Sequence, residues 1–210
     1  MGMNDIEKQI ADYYMTTLKS FGPGAKGVGW KSDETQAKRF LQLSRLIEEN
    51  DNFSINDLGC GTGDLLPYLC NHGFSNFTYL GYDVLDAMLK VAIQQYGHID
   101  QAHFVKVKGA GELKPADYTV ASGIFNLKYS AGEKDWTRYI TDTLEHMNNK
   151  SERGFGFNFL TKYLEKELMQ DDFYYADPLF LFDHCKRKYS CNIALLHDYN
   201  EYDFTILVRK

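Results

Sequence analysis

The chain has 210 residues, of which 44% are hydrophobic and 15% aromatic, with a formal net charge of −6. That length suffices for one well-buried domain and is too short for two comfortable ones. The acidic balance argues against a protein that wraps a nucleic-acid backbone, and no run approaches the roughly 18 apolar residues of a membrane span.

The polar start, Met1-Gly2-Met3-Asn4-Asp5, has no signal-peptide core. Cys60, Cys70, Cys185 and Cys191 show no C-x-x-C spacing. A cytoplasmic protein with reduced thiols and no metal site is expected. Residues 4–19 predict a first helix, with Ile6, Ile10, Tyr13, Tyr14 and Leu18 at helical spacing. The stretch from Phe21 to Trp30 is loop, because Gly22, Pro23, Gly24, Gly27 and Gly29 forbid regular structure. Ser32 or Asp33 can cap a second helix running to about residue 49, with Phe40, Leu43 and Ile47 on its inner face.

Residues 53–64 are the most informative stretch. An alternating apolar run ends in Asp57 and Leu58 and breaks into Gly59, Cys60, Gly61, Thr62, Gly63 and Asp64, with Leu65, Leu66 and Leu69 following at helical spacing. That order predicts a strand, a tight turn and a helix N-terminus, with bare backbone for a ligand to lie against. Asp57 and Asp64 crowd the turn with negative charge, which is poor for a phosphate and good for a cation. A dinucleotide fold would instead aim its glycines at a pyrophosphate. A dehydrogenase is disfavoured on this ground.

A second run, Phe77–Tyr82, ends in Asp83 about 20 residues beyond the glycines, where an acidic residue can accept from ribose hydroxyls. A sheet-covering helix follows (Leu85, Met88, Leu89, Ala92, Ile93, Tyr96). His103–Val107 is a third run, closing at Gly109-Ala110-Gly111, and Tyr118–Ala121 a fourth, opening into Ser122-Gly123-Ile124-Phe125-Asn126. Asp135–Met147 is the cleanest helix, and Trp136 in it reads as core. Gly154–Leu160 is a fifth strand, Tyr163–Met169 a short helix, and Pro178 opens another helix where its missing N–H is harmless. Asn192–Leu196 and Phe204–Val208 read as a closing hairpin.

The Asp57-to-Gly63 stretch resembles the D-x-G-x-G-x-G motif of class I S-adenosylmethionine-dependent methyltransferases. Four βα-like units in register with one cofactor's needs extend the likeness. It implies an α/β, Rossmann-like, seven-stranded, mostly parallel sheet with helices on both faces and an antiparallel last strand. An N-terminal helical cap over residues 1–50 would precede a cofactor-binding core over residues 51–210, in one compact domain. The cofactor implied is S-adenosylmethionine, with S-adenosylhomocysteine as product.

On that resemblance Asp57 accepts from turn amides or, through water, from the methionine ammonium. Gly59, Gly61 and Gly63 allow close approach, with Cys60 a packing residue within the same cofactor turn. Asp83 takes the ribose, Val84 lies on the adenine face, and Gly109 and Ala110 border its edge. Ser122 and Gly123 sit beneath the methionine portion. The family's acidic residue after the third strand is replaced here by Ala110 and Gly111 ahead of Glu112.

The N-terminal segment, Gly29-Trp30-Lys31-Ser32 with Gln36-Ala37-Lys38-Arg39-Phe40, resembles a G-W-x-S-x-x-x-Q-x-x-R-F pattern. That pattern belongs to a sub-group associated with polysaccharide or small-molecule biosynthesis. Arg39 can offer a bidentate fork to the methionine carboxylate; the alternative is a surface pair with Glu48 or Glu49. Trp30 is expected as a lid over the methyl group, joined by Tyr14.

Methyl transfer is an in-line displacement needing alignment, exclusion of water and, for a hydroxyl or ammonium acceptor, a base. Asn158, Tyr175 and His197 are the catalytic candidates, and Phe125, Asn126, Asn158 and Tyr175 the acceptor contacts. The N/D/S-P-P-Y/F/W stretch of base-methylating relatives is replaced by Ser122–Asn126. A small polar metabolite (a sugar, amino sugar or phosphorylated compound) is therefore expected as partner, with no nucleic acid and no membrane. The alternatives are a cofactor-binding module without chemistry and a macromolecule methyltransferase.

Overall fold

A computed structural model describes residues 3–48 and 52–210 of the chain. The expected boundary between residues 50 and 51, and Glu49, fall outside the described residues. Helix α1 (Met3–Phe21) leads through a 3₁₀ turn (Ala25–Val28) to α2 (Asp33–Ser44). The sheet is then laid down by β1 (Phe53–Leu58), α3 (Leu65–Asn71), β2 (Phe77–Asp83), α4 (Asp86–Tyr96), β3 (Ala102–Lys106), β4 (Ala116–Ala121), α5 (Glu133–Lys150) and β5 (Ser151–Thr161). The two-residue β6 (Tyr175–Ala176), α6 (Pro178–Lys188), β7 (Asn192–Leu196) and β8 (Asp203–Arg209) complete it.

The strand order is β3-β2-β1-β4-β5-β8-β7, with β6 paired to the end of β5. Strands β1 to β5 run parallel, and β8 enters antiparallel between β5 and β7. The expected seven-stranded order is thus present, and β6 is an eighth, short addition. The chain leaves β1 toward β2 on one side, and β4 pairs on the other. The carboxyl ends of β1 and β4 therefore flank a topological switch point, where open α/β sheets form their ligand crevice.

Strand periodicity sorts the core into two layers. Phe155, Phe157 and Phe159 of β5 join Phe204, Ile206 and Val208 of β8 under Trp136, Ile140, Leu144 and Met147 of α5. Each of those rings contributes roughly 1.5–3 kcal/mol on full burial. The other parity of β5 carries Gly154 and Gly156, and a Cβ at Gly156 would come within 3.3 Å of Leu43 Cδ2 on α2. There Leu43 and Phe40 pack with Ile55, Leu65, Leu66, Leu69 and Tyr79.

Two elements end earlier than their spacing predicts. Helix α2 stops at Ser44 rather than near residue 49. Leu46 N then donates to Leu43 O and Ile47 N to Ser44 O, both at 3.0 Å. The tighter turns bring Leu46 and Ile47 into the core, and burial overrides helical continuation. Between Tyr163 and Met169 only a 3₁₀ turn forms (Lys166–Leu168), and none of its three residues is buried to hold a longer helix. Among the described residues no helix is long and apolar enough to cross a membrane.

Candidate active site

A cavity of about 780 Å³ opens at the carboxyl ends of β1 and β4. Its floor is the turn after β1, tied to β2 by Gly59 N and Cys60 N donating to Tyr82 O at 2.7 and 2.9 Å. Gly61 N donates to Asp83 Oδ2 and Leu85 N to Asp83 Oδ1, each at 2.9 Å. A carboxylate offers about four acceptor positions, so capacity remains on the side facing the cavity. Burial raises the Asp83 carboxyl, and the Leu85 and Gly61 amides oppose that rise.

Asp57 lies beside it, 4% exposed, and its Oδ2 accepts from the Tyr79 hydroxyl at 2.6 Å. This corrects the expected bonds from turn amides: a phenol reaching across from β2 takes that place. Burial pushes Asp57 up to about 7 against the opposing Tyr79 bond, and the nearby Asp83 and Asp64 add to the rise. Two buried carboxyls on one cavity wall favour a cationic ligand. Burial and the same aspartates hold the Cys60 thiol protonated, in keeping with a packing role.

The glycines also make room for neighbouring protein groups. Gly59 and Gly61 take φ of 74° and 55°, a region costly for side chains. A Cβ at Gly59 would run into Ile124 Cγ2, and one at Gly61 would meet Val28 Cγ1 at 2.8 Å. Their bareness admits neighbouring protein groups, and both still line the cavity. Gly63 is not part of the cavity wall; a Cβ there would meet Phe104 and Tyr96 at 3.1 Å.

The N-terminal elements roof this floor. Tyr13 and Tyr14 of α1 meet edge to face at 5.2 Å, and both line the cavity with Trp30, Gln36 and Arg39. Burial raises the Tyr14 hydroxyl, with Tyr13 and Asp83 adding to it, so it remains protonated. The Trp30 indole closes on Gly123, where a Cβ would come within 2.7 Å of Trp30 Cζ2. Arg39 is not the free fork that was expected, because Asp203 is already paired with its Nη2 and Thr35 O accepts from Nη1. Nor does it pair with Glu48, which bonds Arg153 at 2.6 Å.

Val84, Gly109, Ala110, Ser122, Gly123 and Asn126 line the cavity. Four other expectations are corrected. Asn158 is fully enclosed: its Oδ1 accepts from Gly123 N at 2.9 Å and its Nδ2 donates to Ser122 Oγ at 3.1 Å. It braces the end of β4 and is not part of the cavity wall. Phe125 is core, stacked on Phe159 at 4.7 Å. Tyr175, on β6, accepts from Gln170 N at 2.9 Å and stays outside the wall. His197 is exposed on the β7–β8 hairpin, packed beside Phe204 and Tyr163. Each lies at the correct sheet edge or strand end but points elsewhere.

Sequence reasoning missed Ile6, Ile10, Ile124, Tyr139, Thr143 and Phe173, all of which line the cavity. The helical spacing of Ile6 and Ile10 marked an inward face on α1 without showing what it faces.

No family model matches the chain. A protein of Mycobacterium tuberculosis (strain H37Rv), provisionally named a methyltransferase, is 49% identical over 166 residues, which span 79% of this chain and 98% of that one. Among solved structures, a magnesium protoporphyrin IX methyltransferase of Synechocystis, crystallised with SAH, superposes with a TM-score of 0.67 at 13% identity, covering 97% of this chain and 100% of its own. An N-methyltransferase of Bradyrhizobium japonicum, in complex with S-adenosylhomocysteine, superposes with a TM-score of 0.66 at 10% identity, covering 96% and 98%. The chain belongs to the class I S-adenosylmethionine-dependent methyltransferases.

Proposed function

We propose that the chain methylates a small polar metabolite, and that the residues assigned on the β1, β2, β3 and β4 ends hold the cofactor. The observation that carries this is the pair of buried carboxyls, Asp57 and Asp83, beside a glycine turn in a covered cavity. The cradle fits an S-adenosyl group: its donor set is anionic where a cation must lie, and Asp83 retains acceptor capacity for hydroxyls. Asp83 would hold the ribose, Val84, Gly109 and Ala110 the adenine, and Gly59, Gly61, Ser122 and Gly123 the methionine portion, with Asp57 toward its ammonium. The bound cofactor supplies an electrophilic methyl group on a sulfonium. Trp30 and Tyr14 would exclude water, and residues 1–50 act as the cap of one compact domain.

The acceptor would lie against Asn126 and the α1 wall. A net charge of −6, the lack of a proline pair after β4 and the roof over the cavity all support a small molecule over DNA or RNA. The sub-group resemblance of Gly29 to Phe40 supports the same class. The test is a two-step assay on the purified chain. S-adenosylhomocysteine should raise its melting temperature through ligand linkage, and labelled S-adenosylmethionine should pass its methyl to a metabolite pool. Labelling of tRNA, DNA or protein extracts alone would sink the small-molecule reading. Binding without transfer to any pool would leave a cofactor-binding module.

A further inference from the structure

Arg39 is a cation in an apolar place, its side chain only 6% exposed. A guanidinium removed from water requires a counter-charge and acceptors. The first residue of β8 supplies the charge: the Asp203 side chain is fully enclosed and pairs with Arg39 Nη2. Glu201 lies 3.9 Å from the same nitrogen, itself bonded to Lys38 at 3.0 Å. The guanidinium carbon sits 4.2 Å from the Trp30 ring centroid, a stacking contact that a lysine reproduces poorly. Trp30 in turn closes on Gly123 at the rim of the cavity.

Stability is a poor explanation of this pair. Arg39 Nε and Asp203 Oδ1 are buried without hydrogen-bond partners, and an incompletely satisfied buried ion pair contributes little against an apolar replacement. Placement is the better explanation, because three residues from three separate segments meet in one line ending at the cavity. We propose that Asp203 is a positioning residue which, by pinning Arg39, holds the Trp30 indole against Gly123. This goes beyond the methyltransferase reading; its central measurement needs no ligand.

The chain has two tryptophans, so 5-fluorotryptophan labelling gives two ¹⁹F resonances, assigned with Trp30→Phe. Trp136, 1% exposed in the core, reports the integrity of the fold. In Asp203→Asn the Trp30 resonance should move toward that of a solvated fluoroindole and gain a solvent-isotope shift, while Trp136 stays in place. S-adenosylhomocysteine affinity should fall several-fold in the same variant. A Trp30 resonance that does not move overturns the proposal. Should Asp203→Asn shift both resonances, Arg39→Lys decides, since it keeps the charge and removes the planar stack. Movement of Trp30 alone supports the proposal, no movement overturns it, and loss of both signals there also overturns it by making the pair a requirement of folding. Failure of the wild-type chain to bind S-adenosylhomocysteine would count against the cofactor reading alone.

Discussion

At the scale of single residues, Asp83 and Asn158 show how similar-looking polar side chains differ in consequence. Asp83 already accepts from two backbone amides and keeps its remaining acceptor positions toward the cavity. Replacing it with Ala removes a charged acceptor whose hydrogen bonds are worth about 1.5–3 kcal/mol each. S-adenosylhomocysteine affinity should therefore fall by roughly tenfold or more, and calorimetry showing unchanged binding would end the ribose assignment. Asn158→Ala acts on the fold instead: the buried Gly123 N–H and Ser122 Oγ lose a partner, which costs about 1–3 kcal/mol of stability. Urea denaturation measures it, and an unchanged midpoint would contradict the bracing role. Asp57 and Asp83 were legible in the sequence because an acidic residue before glycines, and another at the next strand end, leave few chemical options. Asn158 was misplaced because alternation along β5 tells which residues share a face, and not which face meets the cavity. Phe125 was misplaced because it follows β4 in a turn, where no period shows that its ring stacks on Phe159 in the core. Tyr175 and His197 were misplaced because strand order along the sheet sets their distance from the switch point.

At the scale of elements, α2 holds together residues from both the core and the cavity wall. Its N-terminus carries a reciprocal cap: Ser32 Oγ accepts from Thr35 N at 3.3 Å, and Thr35 Oγ1 from Ser32 N at 3.2 Å. Ser32→Ala should cost about 1 kcal/mol in chemical denaturation. Because Gln36 and Arg39 follow in the next turn, fraying there should also weaken S-adenosylhomocysteine binding. A variant with full stability would show that packing of Phe40 and Leu43 alone sets the helix start. Strand and helix positions were legible from periodicity and caps, including Ser32 and Pro178. The early stop of α2 was not, because Leu46 and Ile47 leave the helix to reach a core that no local pattern reveals. The cap itself, with Trp30 and Tyr14, was expected from the resemblance, but the part of α1 was not: α1 reads as an ordinary amphipathic helix, and only the folded chain shows Ile6 and Ile10 over the cavity.

At the scale of the whole molecule, the carboxyl edge of the sheet concentrates buried acid. Burial raises Asp57, Asp64 and Asp83 alike, Asp57 to about 7. A carboxyl whose folded pKa exceeds its unfolded value binds its proton more tightly when folded. From the unfolded value near 3.9 up to about 7, folded Asp57 keeps a proton that the unfolded chain has released. Stability conferred by that difference is fully present below the unfolded pKa and is lost as pH rises through the folded one. The ligand-free protein should therefore lose melting temperature between about pH 4 and about pH 7. In Asp57→Asn the decline should be shallower, and the difference between the two curves isolates this residue from Asp64 and Asp83. A cation bound beside Asp57 would favour its ionised form, so S-adenosylhomocysteine should bind wild-type protein more tightly as pH climbs through the same window. That gain should vanish in the Asn variant. Parallel melting curves for the two proteins, measured without ligand across the window, would show that Asp57 is ionised throughout and that the edge is better solvated than its burial implies.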